Sequence, residues 1–157
     1  MKFIQYLSVS ILTSFLFMQC SSAQKLQKEA AFQTDKAYYQ KWVAGLKDGG
    51  SGINVFIPMA SNPKKLKLDS LYFRGHKVTL NTKPNFPDLY IGRIITNANQ
   101  PKDYSVDTSE IPFDLKDNEA VVSYTENGTI KYFKIENLVE KQMEQYPSAP
   151  PRNLNNN

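Results

Sequence analysis

Cysteine and histidine each occur once, at Cys20 and His76. A single cysteine excludes an intrachain disulfide framework and a multi-cysteine zinc site. A single imidazole excludes a metal centre assembled from several histidines of one chain. Glycine is sparse at 7 residues, and its one dense run is Gly49-Gly50-Ser51-Gly52. That run lacks the Gly-Lys-Ser/Thr ending and the following helix of a phosphate cradle, so it reads as a loop. Excess charge of one sign is also missing, since 19 basic residues meet 15 acidic ones for a net charge of +4. The only dense basic stretch, Lys64-Lys65-Leu66-Lys67 after Asn62-Pro63, reads as a solvated strand start that discourages edge pairing. A nucleic-acid surface interleaves basic groups and aromatics on one element. No nucleic-acid partner is expected.

A long hydrophobic run is absent as well. Residues 3–18 are mostly apolar but broken by Gln5, Tyr6, Ser8, Ser10, Thr13 and Ser14, which is too polar for a span of about 20 apolar residues. Behind Met1-Lys2 they have the layout of an export leader. Two processing sites compete. Ser21-Ser22-Ala23 places small residues at −3 and −1, for cleavage before Gln24. Phe17-Met18-Gln19-Cys20 has the outline of a lipobox, with Phe17 in place of the usual Leu and Gln19 in place of a small residue. Cys20 would then carry the acyl chains of a lipoprotein, each buried CH₂ contributing about 0.8 kcal/mol to anchoring. A lipid anchor of this kind is the only membrane association expected. The expected layout is therefore a leader over 1–23 (ending at 19 if Cys20 is lipidated), a tether over 24–33, a β-sandwich domain over 34–146 and a disordered tail over 147–157.

What is plentiful is hydrophobic and aromatic side chains, 41% and 12% of the 157 residues, enough for one globular core. Tyr39, Trp42, Val43 and Leu46 fall at helical spacing, with Thr34 or Asp35 as cap and Gly49-Gly50 as stop, which predicts a short helix with Trp42 in the core. Beyond it the period is two. Strands are predicted over 53–59, 66–73, 77–82 and 89–96, with Arg74-Gly75-His76 as a turn. Residues 97–110 read as a long polar loop. Asn127-Gly128 is the preferred type I′ pair, predicting a hairpin of 119–126 with 129–135 in which Val122 faces Phe133 and Ala120 faces Ile135. Asn137-Leu138-Val139-Glu140 resembles a capping box before a helical stripe of Val139, Met143 and Tyr146. The expected fold is mainly β: an antiparallel sandwich or small open barrel of about six strands, with a short helix before and after it.

Catalytic chemistry finds few places to reside. A serine, threonine or cysteine nucleophile needs a base beside it, and His76 sits at a predicted turn tip, where an exposed role is the ordinary one. Asp103, Asp107 and Glu110 lie in the polar loop without the spacing of a calcium loop. Asp114, Asp117 and Glu119 surround Asn118 at a strand start, where such residues serve turns. No catalytic residue, metal or cofactor is expected. The aromatics remain as binding candidates. Tyr38, Tyr90, Tyr104 and Tyr132 are the surface candidates, with Tyr104 and Tyr132 the pair singled out for ligand binding. Tyr132 shares a hairpin face with Val121 and Ile130, opposite the core face, a position from which partners are engaged if nothing covers it.

Tyr39-Gln40-Lys41-Trp42-Val43-Ala44-Gly45 with Gly49-Gly50-Ser51-Gly52, then Leu68-Asp69-Ser70-Leu71-Tyr72-Phe73-Arg74-Gly75, Tyr90-Ile91-Gly92 and Asn118-Glu119-Ala120-Val121-Val122-Ser123-Tyr124, together resemble a group of small uncharacterised exported proteins, lipoproteins among them, common in Bacteroidota. The resemblance spans 39–124. It implies export and a single domain, and it transfers no site. The expectation is an exported, non-enzymatic cell-envelope protein, a binding or interaction module whose partner is an envelope protein or a glycan. The alternative is a small-ligand, carbohydrate-binding protein that uses exposed aromatics.

Overall fold

The computed structural model describes residues 24–45, 49–97 and 111–147. Cys20, Tyr104, the carboxylates Asp103, Asp107 and Glu110, and nearly all of the expected tail lie outside them. The described part is mainly β. Its strands are β1 (Leu26–Gln27), β2 (Gln33–Thr34), β3 (Tyr38–Ala44), β4 (Ser51–Ser61), β5 (Leu68–Phe73), β6 (His76–Lys83), β7 (Phe86–Asn97), β8 (Ala120–Glu126), β9 (Thr129–Ile135) and β10 (Val139–Tyr146). They form one mixed sheet, not closed, in the order β1-β9-β8-β5-β6-β7-β4-β3-β10, with β2 paired to the far end of β4. The edge pairs β1–β9 and β3–β10 are parallel. The other ladders are antiparallel.

The sheet bends at β6. Ser70 to Phe73 of β5 pair with the first half of that strand, His76 to Thr79, and β7 takes over from Leu80 onward. The bend brings the inner faces of the two wings together. Leu71 and Phe73 of β5 and Val122 and Tyr124 of β8 join Val55 and Ile57 of β4 and Ile94 of β7 in one core cluster. Gly92 of β7 leaves the room this approach needs, because a Cβ there would fall 2.5 Å from Leu71 Cδ2.

The C-terminal hairpin has the register read from its turn. Ala120 lies opposite Ile135 and Val122 opposite Phe133, and Asn127 and Gly128 have φ of 52° and 75°. Both turn positions need φ > 0, which is why Asn-Gly is favoured there. Arg74 and Gly75 form a second two-residue turn of positive φ, at 47° and 77°.

Several expectations are corrected. The stretch predicted as the first helix is β3, which pairs with β4 from Tyr38 opposite Phe56 to Val43 opposite Ser51. Its aromatic and β-branched residues suit a strand as well as a helix, and the long neighbouring strand decides the matter. The predicted last helix is β10, alongside β3. Asn137 is not a helix cap there but a left-handed residue at φ 58° between β9 and β10. Ten strands replace about six, and the mixed sheet replaces an all-antiparallel one. Residues 24–33, expected as a tether, are docked: Leu26 and Gln27 pair with Tyr132 and Phe133. Phe32 is 4% exposed, edge-on to Tyr124 and Phe133.

Candidate functional site

Alternation along β3 decides which side chains face outward. Tyr39 joins the core cluster, whereas Trp42, although 2% exposed, does not. Tyr38, Gln40, Trp42 and Ala44 therefore share the outer face, opposite Tyr39. Trp42 is buried as expected, but on the face opposite Tyr39, because residues three apart share a face on a helix and not on a strand. Cross-strand neighbours extend the outer row: Phe56 and Asn54 from β4, then Ile91 and Arg93 from β7. On the other side Val139 and Lys141 of β10 lie beside Tyr38 and Gln40.

Trp42 anchors one end of this face. Its indole lies over Gly52, where a Cβ would come within 2.7 Å of Cζ2. The Arg93 guanidinium stands 5.0 Å from the Trp42 ring and Tyr146 packs edge-on at 6.2 Å. The Trp42 Nε1 donor is buried without an acceptor among the described residues. At the other end Tyr38 stacks on Phe56 with centroids 4.7 Å apart and planes 14° from parallel. The Lys141 ammonium lies 5.6 Å from the Tyr38 centroid, within the range of a cation–π contact. Gln40 Nε2 donates to the Gln142 carbonyl at 2.8 Å, which fixes the amide and leaves its oxygen as an acceptor. Together Lys36, Tyr38, Gln40, Val139, Lys141 and Gln142 line an open depression of about 640 Å³. Its two lysines take no part in the ion pairs formed among the described residues, and no carboxylate among those residues lines it.

Other titratable groups are tied to one another across the strands. At the inner end of the wings the Tyr39 hydroxyl donates to Glu140 Oε2 at 2.7 Å and accepts from Arg74 Nη2 at 2.7 Å. Burial, and then the Glu140 hydrogen bond, raise the Tyr39 hydroxyl above its ordinary pKa. Lys41, 2.7 Å from Glu140 Oε1, holds that carboxyl below the usual range. Glu119 accepts from the Lys116 amide at 3.0 Å and from Lys134 Nζ at 3.2 Å, and the amide bond is the main cause of its lowered pKa. Asp114 and Asp117 are exposed. Among the described residues no three histidine, cysteine, aspartate or glutamate side chains gather in a metal-holding group. His76 opens β6 and is half-buried, opposite Phe73, rather than lying free at a turn tip.

The predicted ligand aromatics fare unequally. Cys20 and Tyr104 lie outside the described residues. Tyr132 does occupy the outer face of the hairpin, but that face is partly covered. Its ring lies 5.4 Å from Phe113 and 6.1 Å from Tyr72, which is 6% exposed. Ile130 remains 59% exposed at the hairpin tip. Tyr90 is half-buried in β7. Tyr38, also read as a surface aromatic, is the one at the depression. Lys36 and Gln40 flank it at alternate positions, whereas Lys141 and Gln142 come from β10, about a hundred positions away, which no local pattern records. No family model matches the chain, and neither a curated protein nor a solved structure matches it.

Proposed function

We propose that the chain is an exported, non-enzymatic binding or interaction module of the cell envelope, a β-sandwich that meets its ligand on the outer face of β3 and β10. Export rests on the leader. The sandwich reading is supported by β6, which changes partners midway, as corner strands do when two sheets pack across each other. One observation carries the binding role: the open depression beside Tyr38, where a ring, an oriented amide and two lysines converge on solvent. Catalysis is favoured by groups shielded from water around a reacting atom, whereas an open, mixed surface suits reversible association.

The carbohydrate alternative is favoured by the same lining. Aromatic rings accept the apolar face of a pyranose, and amides match its hydroxyls. The reading is tested by incubating the purified processed protein with isolated envelope polysaccharides and, separately, crosslinking it to envelope proteins. Saturable association that Gln40→Ala weakens supports it. Turnover of an envelope ester, glycoside or peptide that vanishes on substitution of one acidic residue or of His76 overturns it.

A further inference from the structure

We infer that the depression on β3 and β10 takes a saccharide carrying anionic groups, of which a uronic-acid oligomer is the simplest example. This inference rests on the binding-module reading and specifies the ligand class of that site.

Three features of the lining argue for it together. The first is charge. Lys36 and Lys141 contribute two cations, and among the described residues no carboxylate lines the depression and neither lysine is spent on an ion pair. Five other lysines are consumed, Lys41 by Glu140, Lys64 and Lys131 by Glu126, and Lys116 and Lys134 by Glu119, whereas free ones such as Lys65 and Lys67 do not line the depression. A cation left unneutralised beside a concave surface is where an anionic ligand gains most. The second is the ring. Tyr38 is backed by Phe56 at 4.7 Å, so it is held upright, and Val139 stands beside it, 37% exposed. These two present an apolar wall to the C–H face of a sugar. The third is hydrogen bonding. Gln40 is oriented by the Gln142 carbonyl, and its oxygen is left to accept from a hydroxyl.

Each feature excludes a class of ligand. An inorganic polyanion has no use for the apolar wall. A neutral glycan has no use for the two ammonium groups. Lysine is a point charge on a flexible stem, suited to single anionic groups spaced along a chain rather than to a rigid bidentate grip. The Lys141 ammonium, now 5.6 Å from the Tyr38 centroid, is the group that meets the anion as the sugar settles beside the ring. The volume of about 640 Å³ lies within the roughly 300–1,000 Å³ of small-molecule sites and suits a short oligomer.

The test is calorimetric titration of the purified processed protein with a galacturonate oligomer, its fully methyl-esterified counterpart and tripolyphosphate. The expected result is binding of the galacturonate at least tenfold tighter than of the ester, weakening with added salt. Lys36→Gln and Lys141→Gln should each weaken it several-fold with an unchanged near-ultraviolet spectrum, whereas Lys65→Gln, on an exposed loop outside the lining, should not. Equal affinity for acid and ester overturns the anionic requirement. Equal or tighter binding of tripolyphosphate overturns the saccharide requirement. Binding that ignores both lysine variants overturns the site. Failure of every saccharide to bind overturns this inference, and the envelope crosslinks then decide the broader reading separately.

Discussion

Arg74 donates from Nη2 to the hydroxyl of Tyr39 at 2.7 Å, and its guanidinium lies 4.6 Å from the centre of the same ring. The contact runs from the β5–β6 turn to β3, between wings of the sheet that share no direct ladder. It extends further, because the hydroxyl donates to Glu140 of β10 and Arg74 Nε donates to the Asp117 carbonyl. Arg74 has a left-handed φ of 47° in its two-residue turn. A non-glycine residue in that region carries a cost that its surroundings must offset.

Tyr39→Phe removes the hydroxyl and leaves both Arg74 and Glu140 short of a partner. A loss of about 1.5–3 kcal/mol is expected in denaturant unfolding, the range of a hydrogen bond to charged groups. Arg74→Met should cost a similar amount. The double variant should cost clearly less than the sum, since the residues belong to one network. Strict additivity would show that the contact contributes nothing of its own.

Gly52 is predicted to be intolerant for a reason unrelated to backbone freedom. A Cβ at that position meets Trp42 Cζ2 at 2.7 Å and also the Ile94 carbonyl, which cannot move without breaking the ladder. Gly52→Ala should destabilise by about 2–3 kcal/mol, as overpacking does. It should also change the tryptophan fluorescence, because the chain has 1 Trp. Unfolding indistinguishable from the parent protein would contradict the packing of Trp42 on β4.

Stability should fall in acid through Glu126. Lys131 and Lys64, each 2.6 Å from one of its oxygens, hold this carboxyl at about 2, against an ordinary value of 4.5. A group depressed on folding contributes fully above its unfolded pKa and loses that contribution as pH falls through the folded one. The contribution is thus complete above about pH 4.5 and disappears toward pH 2. Melting curves across this window should show a steeper acid loss for the parent than for Glu126→Gln. The difference should shrink in high salt, since Lys64 is 59% exposed and screened. Parallel curves for the two proteins would remove Glu126 from the acid transition.

Intact mass of the chain recovered from membrane and soluble fractions tests its processing. A chain beginning at Cys20 with acyl groups attached makes it an envelope lipoprotein. One beginning at Gln24 makes it a free exported protein. Recovery of a chain still beginning at Met1 would overturn export itself.

Much of the fold was legible where the code is local. Asn127-Gly128 states its own turn and, through it, the pairing of Val122 with Phe133 across the hairpin. The four middle strands were visible as alternating segments. Tyr38 was readable as a surface aromatic, although Tyr132, read the same way, is partly covered by Phe113.

By itself, then, the amino-acid order determined the mainly-β character and the strong hairpin, because each depends on side chains within a few residues of one another. The tertiary structure decided the rest. Whether Tyr39 and Trp42 share a face depends on a choice between helix and strand that β4 makes by pairing with β3. The parallel edges β1 and β10 join segments far apart in the chain, so no turn announces them. The depression beside Tyr38 exists only because β10 returns to lie along β3, placing Lys141 next to Gln40. Lys36, Tyr38 and Gln40 alternate along one stretch of chain, but the second lysine and the apolar Val139 join them only by strand addition across the fold, which short-range periodicity does not encode.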